Sequence, residues 1–175
     1  MESPASRAVV VTFLNAREAF EDPAQAAAWW GGVHREATSA VRLRASPKPR
    51  FDFTLTEELQ NLRTAAVQAL DAASRGLEPP ASSLASIGEA LARGRLGLDG
   101  APPALTYSVA DGAGSVLLPL AYIVCALLEA DLRRLRRCAD ERCGAYFWDT
   151  TKNRSRRWCR LACMERVRAP RRRLP

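Results

Sequence analysis

Two close cysteine pairs constrain this chain more than any other feature. Cys138 and Cys143 form the first pair, Cys159 and Cys163 the second, spaced C-x4-C-x15-C-x3-C in a chain of 175 residues. The first 124 residues contain no cysteine at all. Zinc prefers a tetrahedron of thiolates, and two short cysteine pairs are the usual way for a chain to supply one. Gly144 follows the first pair and can take the positive φ that a ligand turn often needs. Cys159 and Cys163 stand one helical turn apart, so a helix would present both on one face. Two disulfides are the alternative, but they need an oxidising compartment and nothing in the sequence points to export. Four unrelated thiols would rarely fall into two pairs. The expected cofactor is therefore Zn2+, held by all four cysteines. The fifth cysteine, Cys125, lies in an apolar run and reads as a small packed residue.

The formal net charge of +7 is unevenly placed. Residues 131–175 hold 15 of the 26 basic side chains and 5 of the 19 acidic ones, a net of +10, against −3 for residues 1–130. That asymmetry favours a polyanionic partner for the tail alone, because neutralised phosphates release counterions. Fourteen of the fifteen tail cations are arginine, whose planar fork suits phosphate and guanine edges. Val9–Leu14 is too short for a signal peptide and lacks a cleavage site. The uncharged stretch 112–128 is broken by Gly114 and Pro119 and is too short to span a bilayer. A cytoplasmic protein without membrane contact is the expectation.

An α+β chain is expected, with a mainly helical body over 1–130 and a zinc module over 131–175. Ala8–Leu14 is β-branched and reads as a strand. Asp22 and Pro23 open a helix that Gly31 and Gly32 should end. A second helix follows Thr54 or Thr56, with Glu57 and Glu58 in its first turn and a stripe of Leu55, Leu59, Leu62, Ala66 and Leu70. Ser83–Arg93 gives a third helix bearing Leu84, Ile87 and Leu91, and 94–103 a loop. Ala104–Val109 reads as a strand, paired with a second one near Ser115–Leu118. Pro119 should then start a long helix that runs to about Arg136 and leads directly into Cys138, limiting motion between the two parts.

In the tail, Tyr146, Phe147 and Trp148 suit one strand of a hairpin and Arg154–Arg157 its return. A helix from Leu161 to about Arg168, ended by Pro170, would complete a treble-clef-like layout. Lys152, Arg154, Arg156, Arg157, Arg160, Arg166 and Arg168 are the candidate nucleic-acid contacts, with Arg171–Arg173 beyond them. The plainer reading makes them a solvated face on a structural zinc knob. The three aromatics read as hairpin core more readily than as a base-stacking platform.

These residues carry a resemblance. Arg137-Cys138, Cys143-Gly144, Phe147-Trp148-Asp149-Thr150, Asn153–Cys159 and the closing Cys163 resemble the CGNR-type zinc finger of bacterial proteins. In that family the finger follows an N-terminal ABATE domain, and its members are regarded as stress-induced transcription regulators. Val11–Asn15, the helical middle and Leu105-Thr-Tyr107 are similar to the ABATE pattern. The resemblance implies the four cysteines as zinc ligands and DNA as partner. The eponymous Cys-Gly-Asn-Arg stands here as Cys163-Met164-Glu165-Arg166, and the final pair is one residue closer than the C-x4-C form. Glu165 would weaken generic affinity for phosphate, pair with an arginine such as Arg168, or accept from a cytosine amino group.

In the body, Trp29, Trp30 and His34 could line a small-molecule pocket, although an aromatic helix face packed in the core is the simpler reading. Asp52, Glu57 and Glu58 read as charges near a helix start. No glycine-rich phosphate loop or nucleophile elbow is present, and an all-cysteine zinc site has no open coordination position, so catalysis is not expected. A DNA-binding regulator is the leading expectation, its body sensing a ligand or forming a homodimer. An RNA- or ribosome-associated module and a protein-interaction adaptor are the rivals.

Overall fold

The computed structural model describes residues 4–43, 46–100 and 104–168. The chain divides into two compact units, Met1–Ala130 and Asp131–Pro175.

The first unit is a helical body with one hairpin. Helix α1 spans Pro4–Asn15, so the expected strand over Ala8–Leu14 is a helix. Val9, Val10, Phe13 and Leu14 are all buried there. Their i, i+4 spacing forms one helical stripe, and burying that stripe outweighs the β preference of the valines. Helix α2, Pro23–Ala40, begins as expected: the Asp22 carboxylate accepts from the N–H groups of Ala24 (2.9 Å) and Gln25 (3.0 Å). It does not stop at Gly31-Gly32. A Cβ at either glycine would meet open space, and the helix continues because Ala26, Trp30 and Ala37 bury a face on both sides of the pair. Two glycines cost about 2 kcal/mol of helix propensity together, and that packing offsets it.

Helix α3, Phe53–Ser74, is capped by Asp52, which accepts from Leu55 N–H at 3.0 Å, and not by Thr54 or Thr56. Its stripe of Leu55, Leu59, Leu62, Ala66 and Leu70 is buried as expected. Thr56 is buried too and donates its hydroxyl to the Phe53 carbonyl. Helix α4, Ala81–Ala92, buries Ser83, Ile87 and Ala90, leaving Leu84 exposed.

The expected loop after it is a strand, β1 (Gly94–Asp99), paired antiparallel with β2 (Ala104–Val109). The partner of β2 thus precedes it. Ser115–Leu118 instead belongs to helix α5, Gly114–Leu128, which contains Pro119 one turn inside its start and ends well before Arg136. Every residue from Gly114 to Ala121 is buried, and α5 packs against α1, α2, α3 and α4. An apolar helix surrounded by helices is the core of such a bundle. The Asp111 carboxylate accepts from Gly114 N–H at 2.6 Å, and Ser115 donates to the Pro47 carbonyl at 2.7 Å. Gly112 lies so close to the 48–49 backbone that a Cβ there would sit 2.7 Å from the Lys48 carbonyl oxygen. Cys125 is half-buried on α5, and burial, reinforced by the charge of Glu129, pushes its thiol above the usual range.

The second unit starts with a 3-10 turn, Leu132–Arg134, capped by Asp131. Strand β3 (Leu135–Arg137) pairs antiparallel with β4 (Tyr146–Trp148), in the register Leu135↔Trp148 and Arg137↔Tyr146. Helix α6 is Leu161–Arg168, as expected. The hairpin therefore brackets the first cysteine pair, and Arg154–Arg157, expected as its return strand, forms no strand. Pro170 and Arg171–Arg173 lie outside the described residues. Among the described residues no helix is long and apolar enough to cross a membrane.

Candidate metal centre

Each cysteine is delivered by a different piece of backbone. Cys138 follows β3 and donates its N–H to the Ala145 carbonyl at 2.8 Å, so the β3–β4 ladder positions the first sulfur. The chain then turns back through Asp140, whose carbonyl accepts from the N–H groups of Cys143 (2.9 Å) and Gly144 (3.0 Å). Gly144 adopts φ +57°, the left-handed conformation expected of it. Cys159 precedes α6 and directs its N–H at the Cys138 sulfur, 3.5 Å away. Cys163 sits in the first turn of α6, fully buried, and that burial pushes its thiol above the usual range.

The four Sγ atoms lie within 4.8 Å of one another. Cys143 and Cys159 are 3.6 Å apart, and Cys159 and Cys163 are 3.8 Å apart. A tetrahedron with Zn–S bonds of ~2.3 Å has edges of ~3.8 Å, so the sulfurs already stand near coordination spacing. They are far too distant for disulfides, and all four are free thiols. Phe147 and Trp158 pack around them as the only aromatic cover this small core has among the described residues.

Burial and the hydrogen bonds of the neighbouring thiols push Cys159 up to about 12. At Cys138 burial acts in the same direction, but N–H groups of Cys159 and Asp140 outweigh it and pull the thiol down. Sulfurs this crowded do not ionise together unless a divalent cation is shared among them. The donor set fits zinc, and occupancy will decline as acid returns protons to sulfur.

Around this centre several arginines have partners within the tail. Arg166 on α6 forms an ion pair with the buried Asp140 carboxylate, tying the helix to the first ligand turn. Arg156 donates to the Trp158 carbonyl (2.9 Å) and to the Cys159 carbonyl, with its guanidinium carbon 5.3 Å from the Phe147 ring centre. Arg154 lies 3.5 Å from Asp131 and has φ +53° in the turn after Thr151. These three expected nucleic-acid contacts are occupied within the tail. Lys152, Arg157, Arg160 and Arg168 are exposed, as Arg156 and Arg166 also are, and Arg160 in addition hydrogen-bonds to the Cys163 thiol. Arg157 and Arg168 both stack on Trp158, with guanidinium carbons 5.3 and 5.2 Å from its ring centre.

Sequence reasoning missed the two buried aspartates. Asp149 is fully buried and accepts from the Thr151 N–H (2.8 Å), the Thr151 hydroxyl (2.6 Å) and the Arg156 N–H (2.9 Å). Burial opposes its ionisation, but these bonds and the Arg136 charge prevail and hold the carboxyl below the usual range. The signal was an aspartate two residues before a threonine, the pattern of a side chain closing its own loop. Arg134 completes that loop by donating to the carbonyls of Asp149 and Thr151, both at 2.9 Å.

In the body, Trp30 is buried and Trp29 partly so. Trp29 packs on Phe13 and Phe20 at centroid distances of 5.9 and 4.9 Å, and its buried Nε1 has no hydrogen-bond partner among the described residues. His34 is exposed, with Nδ1 3.1 Å from the Gly31 carbonyl. A separate cleft of 390 Å³ lies between α3 and α4, lined by Glu58, Gln68, Ser83 and Arg93 among others. The Arg93–Glu58 ion pair (2.5 Å) and the Ser83–Gln68 hydrogen bond (2.7 Å) satisfy those four side chains within it.

Two outcomes are expected. Cys159→Ser, or complete chelation of the wild type, will unfold residues 131–168 because metal binding supplies much of a small module's folding energy. Far-ultraviolet circular dichroism and metal content of the purified chain read this out; unchanged spectra after full zinc removal would refute it. Asp149→Asn must turn an amide donor toward either Thr151 or Arg156, destabilising the tail by about 2–3 kcal/mol in thermal denaturation at neutral pH. A depressed carboxylate stabilises above its unfolded value of ~3.9 and loses that contribution as pH falls through its folded value, so the gap between variant and wild type will close in acid below about pH 4. A gap that is absent at neutral pH would show that Asp149 does not hold the loop.

Comparison with known proteins agrees with this geometry. No curated protein matches the chain. Residues 134–174 match the family model of the CGNR zinc finger, and the four cysteines of that segment are the ones gathered here, so the tail is a zinc-binding finger of CGNR type.

Proposed function

We propose that the tail binds duplex DNA and that the protein is a transcription regulator acting in the cytoplasm of a bacterial cell. The observation that carries this reading is the set of exposed cations, Lys152, Arg157, Arg160 and Arg168, on a zinc-held unit whose sequence bears a net charge of +10. The Trp158 ring holds the Arg157 and Arg168 guanidiniums by cation–π contact, which uses none of their N–H groups as conventional donors, so these can serve phosphate or guanine. Both side chains are thereby ordered before a ligand arrives, which lowers the entropy cost of contact. Arg154, Arg156 and Arg166 act differently in this proposal, as positioning residues that hold the loop and helix bearing the others. The body is an ABATE-like domain that senses a ligand or assembles the protein. Zinc is structural, since four thiolates leave it no open position, and the protein is not an enzyme.

Selection from a random duplex pool by zinc-loaded protein at near-physiological salt tests this reading. Enrichment of a defined motif is expected. With four phosphate contacts, log affinity should fall with log salt at a slope of about −3 to −4, and Arg157→Gln or Arg168→Gln should each reduce that slope by about one. Arg166→Gln should instead lower the melting temperature of the tail. Recovery at background, or tighter binding to RNA than to duplex, would move the polyanion reading to RNA or to an acidic protein surface.

A further inference from the structure

The β1–β2 hairpin has an amphipathic pattern that the body does not use up. Directly opposed residues of an antiparallel pair point to the same face, so Leu96, Leu98, Leu105 and Tyr107 share one side. At the base this side is packed: Tyr107 meets Tyr122 at 5.8 Å between ring centres, and Gly94 lies against Leu118. Toward the turn it opens. Leu96, Leu98 and Leu105 are 60, 71 and 56 % exposed, among the most exposed large apolar residues described.

The strand edge is equally open. β2 has β1 on one side and the isolated bridge from Leu43 on the other, whereas β1 has only β2 among the described residues. Among the described residues nothing pairs with the backbone N–H and C=O groups along its outer edge. A six-residue edge without proline or a bulge readily pairs with another strand.

The sequence of β1 specifies a partner for that edge. Placed antiparallel to itself with Gly97 opposite Gly97, Gly94-Arg-Leu-Gly-Leu-Asp99 sets Arg95 opposite Asp99 twice and Leu96 opposite Leu98 twice. Both charge pairs are of opposite sign and lie on the face away from the leucines. The two glycines meet at the two-fold axis, where no side chain obstructs the backbones. On the apolar face, each row of the resulting four-stranded sheet reads Leu105, Leu98, Leu96, Tyr107 from one edge to the other.

We infer that β1 is a homodimerisation strand, pairing with β1 of a second copy in the Gly97-centred register to form a continuous four-stranded sheet. An isologous contact of this kind closes on itself and does not propagate. It gives the protein two tails per particle, whatever polyanion those tails bind.

The test is a charge exchange on the full-length, zinc-loaded protein, followed by sedimentation equilibrium. Within the hairpin Arg95 faces Ser108 and Asp99 faces Ala104, so neither substitution sets like charges across β1 and β2. Wild type should be a dimer at micromolar concentration. Arg95→Asp and Asp99→Arg should each place like charges opposite one another twice and raise the dimer dissociation constant by about tenfold or more. The double variant Arg95→Asp/Asp99→Arg restores both pairs and should recover the wild-type constant. Circular dichroism on all three variants checks that the body remains folded. A monomeric wild type, single variants that dimerise like wild type, or a double variant no better than the singles would each overturn the proposal.

Discussion

Four sulfurs held within 4.8 Å of one another are the constraint on which the second unit depends. A unit spanning residues 131–175 cannot bury enough apolar surface to order itself, and Phe147 and Trp158 are nearly all the aromatic packing its metal centre has. Without a cation, burial and the neighbouring thiols hold Cys159 protonated. With zinc the same crowding becomes four bonds that fix β3, the first ligand turn and the start of α6 in one geometry. The 3-residue strands and the 8-residue helix are too short to persist alone in water, so their secondary structure follows from the metal.

The arginine content of the tail takes on a different meaning once the chain is folded. Read as composition, it is a uniform field of positive charge. In the folded unit Arg134, Arg136 and Arg137 donate to loop carbonyls, Arg156 to those of Trp158 and Cys159, and Arg166 pairs with Asp140. A small unit with short elements has many carbonyls that no backbone N–H reaches, and arginine, with five donors on a long stem, can satisfy several at once. Charge density alone therefore overstates how many cations face a ligand. Lys152, Arg157, Arg160 and Arg168 form the smaller set that the interface reading rests on.

How far the sequence could be read varied with the kind of signal. The four ligands were legible because zinc chemistry demands residue type and spacing together, and α6 because Leu161–Arg168 follows directly from Cys159. Pairing partners were not. β4 was recognised from its aromatics, but its partner β3 was hidden inside what looked like the end of a long helix, since Leu135-Arg-Arg137 has no strand pattern of its own. β1 was hidden likewise by two glycines in six residues. Local β propensity misled at α1, where the i, i+4 burial of Val9 with Phe13 decides the outcome, and glycine punctuation misled at α2, where Gly31 and Gly32 face open space. Asp140 and Asp149 went unrecognised because single buried carboxylates acquire their role only when the backbone folds around them.

The central claim is that zinc organises a cationic surface into one that grips duplex DNA. Its most direct test is the affinity of intact protein for duplex at near-physiological salt, measured zinc-loaded, after chelation, and again after zinc is restored. The account predicts that affinity drops to the level of a disordered basic segment on chelation and returns in full with the metal. Equal affinity in all three states would mean that charge alone does the binding, and that the geometry around the four sulfurs is not part of the function.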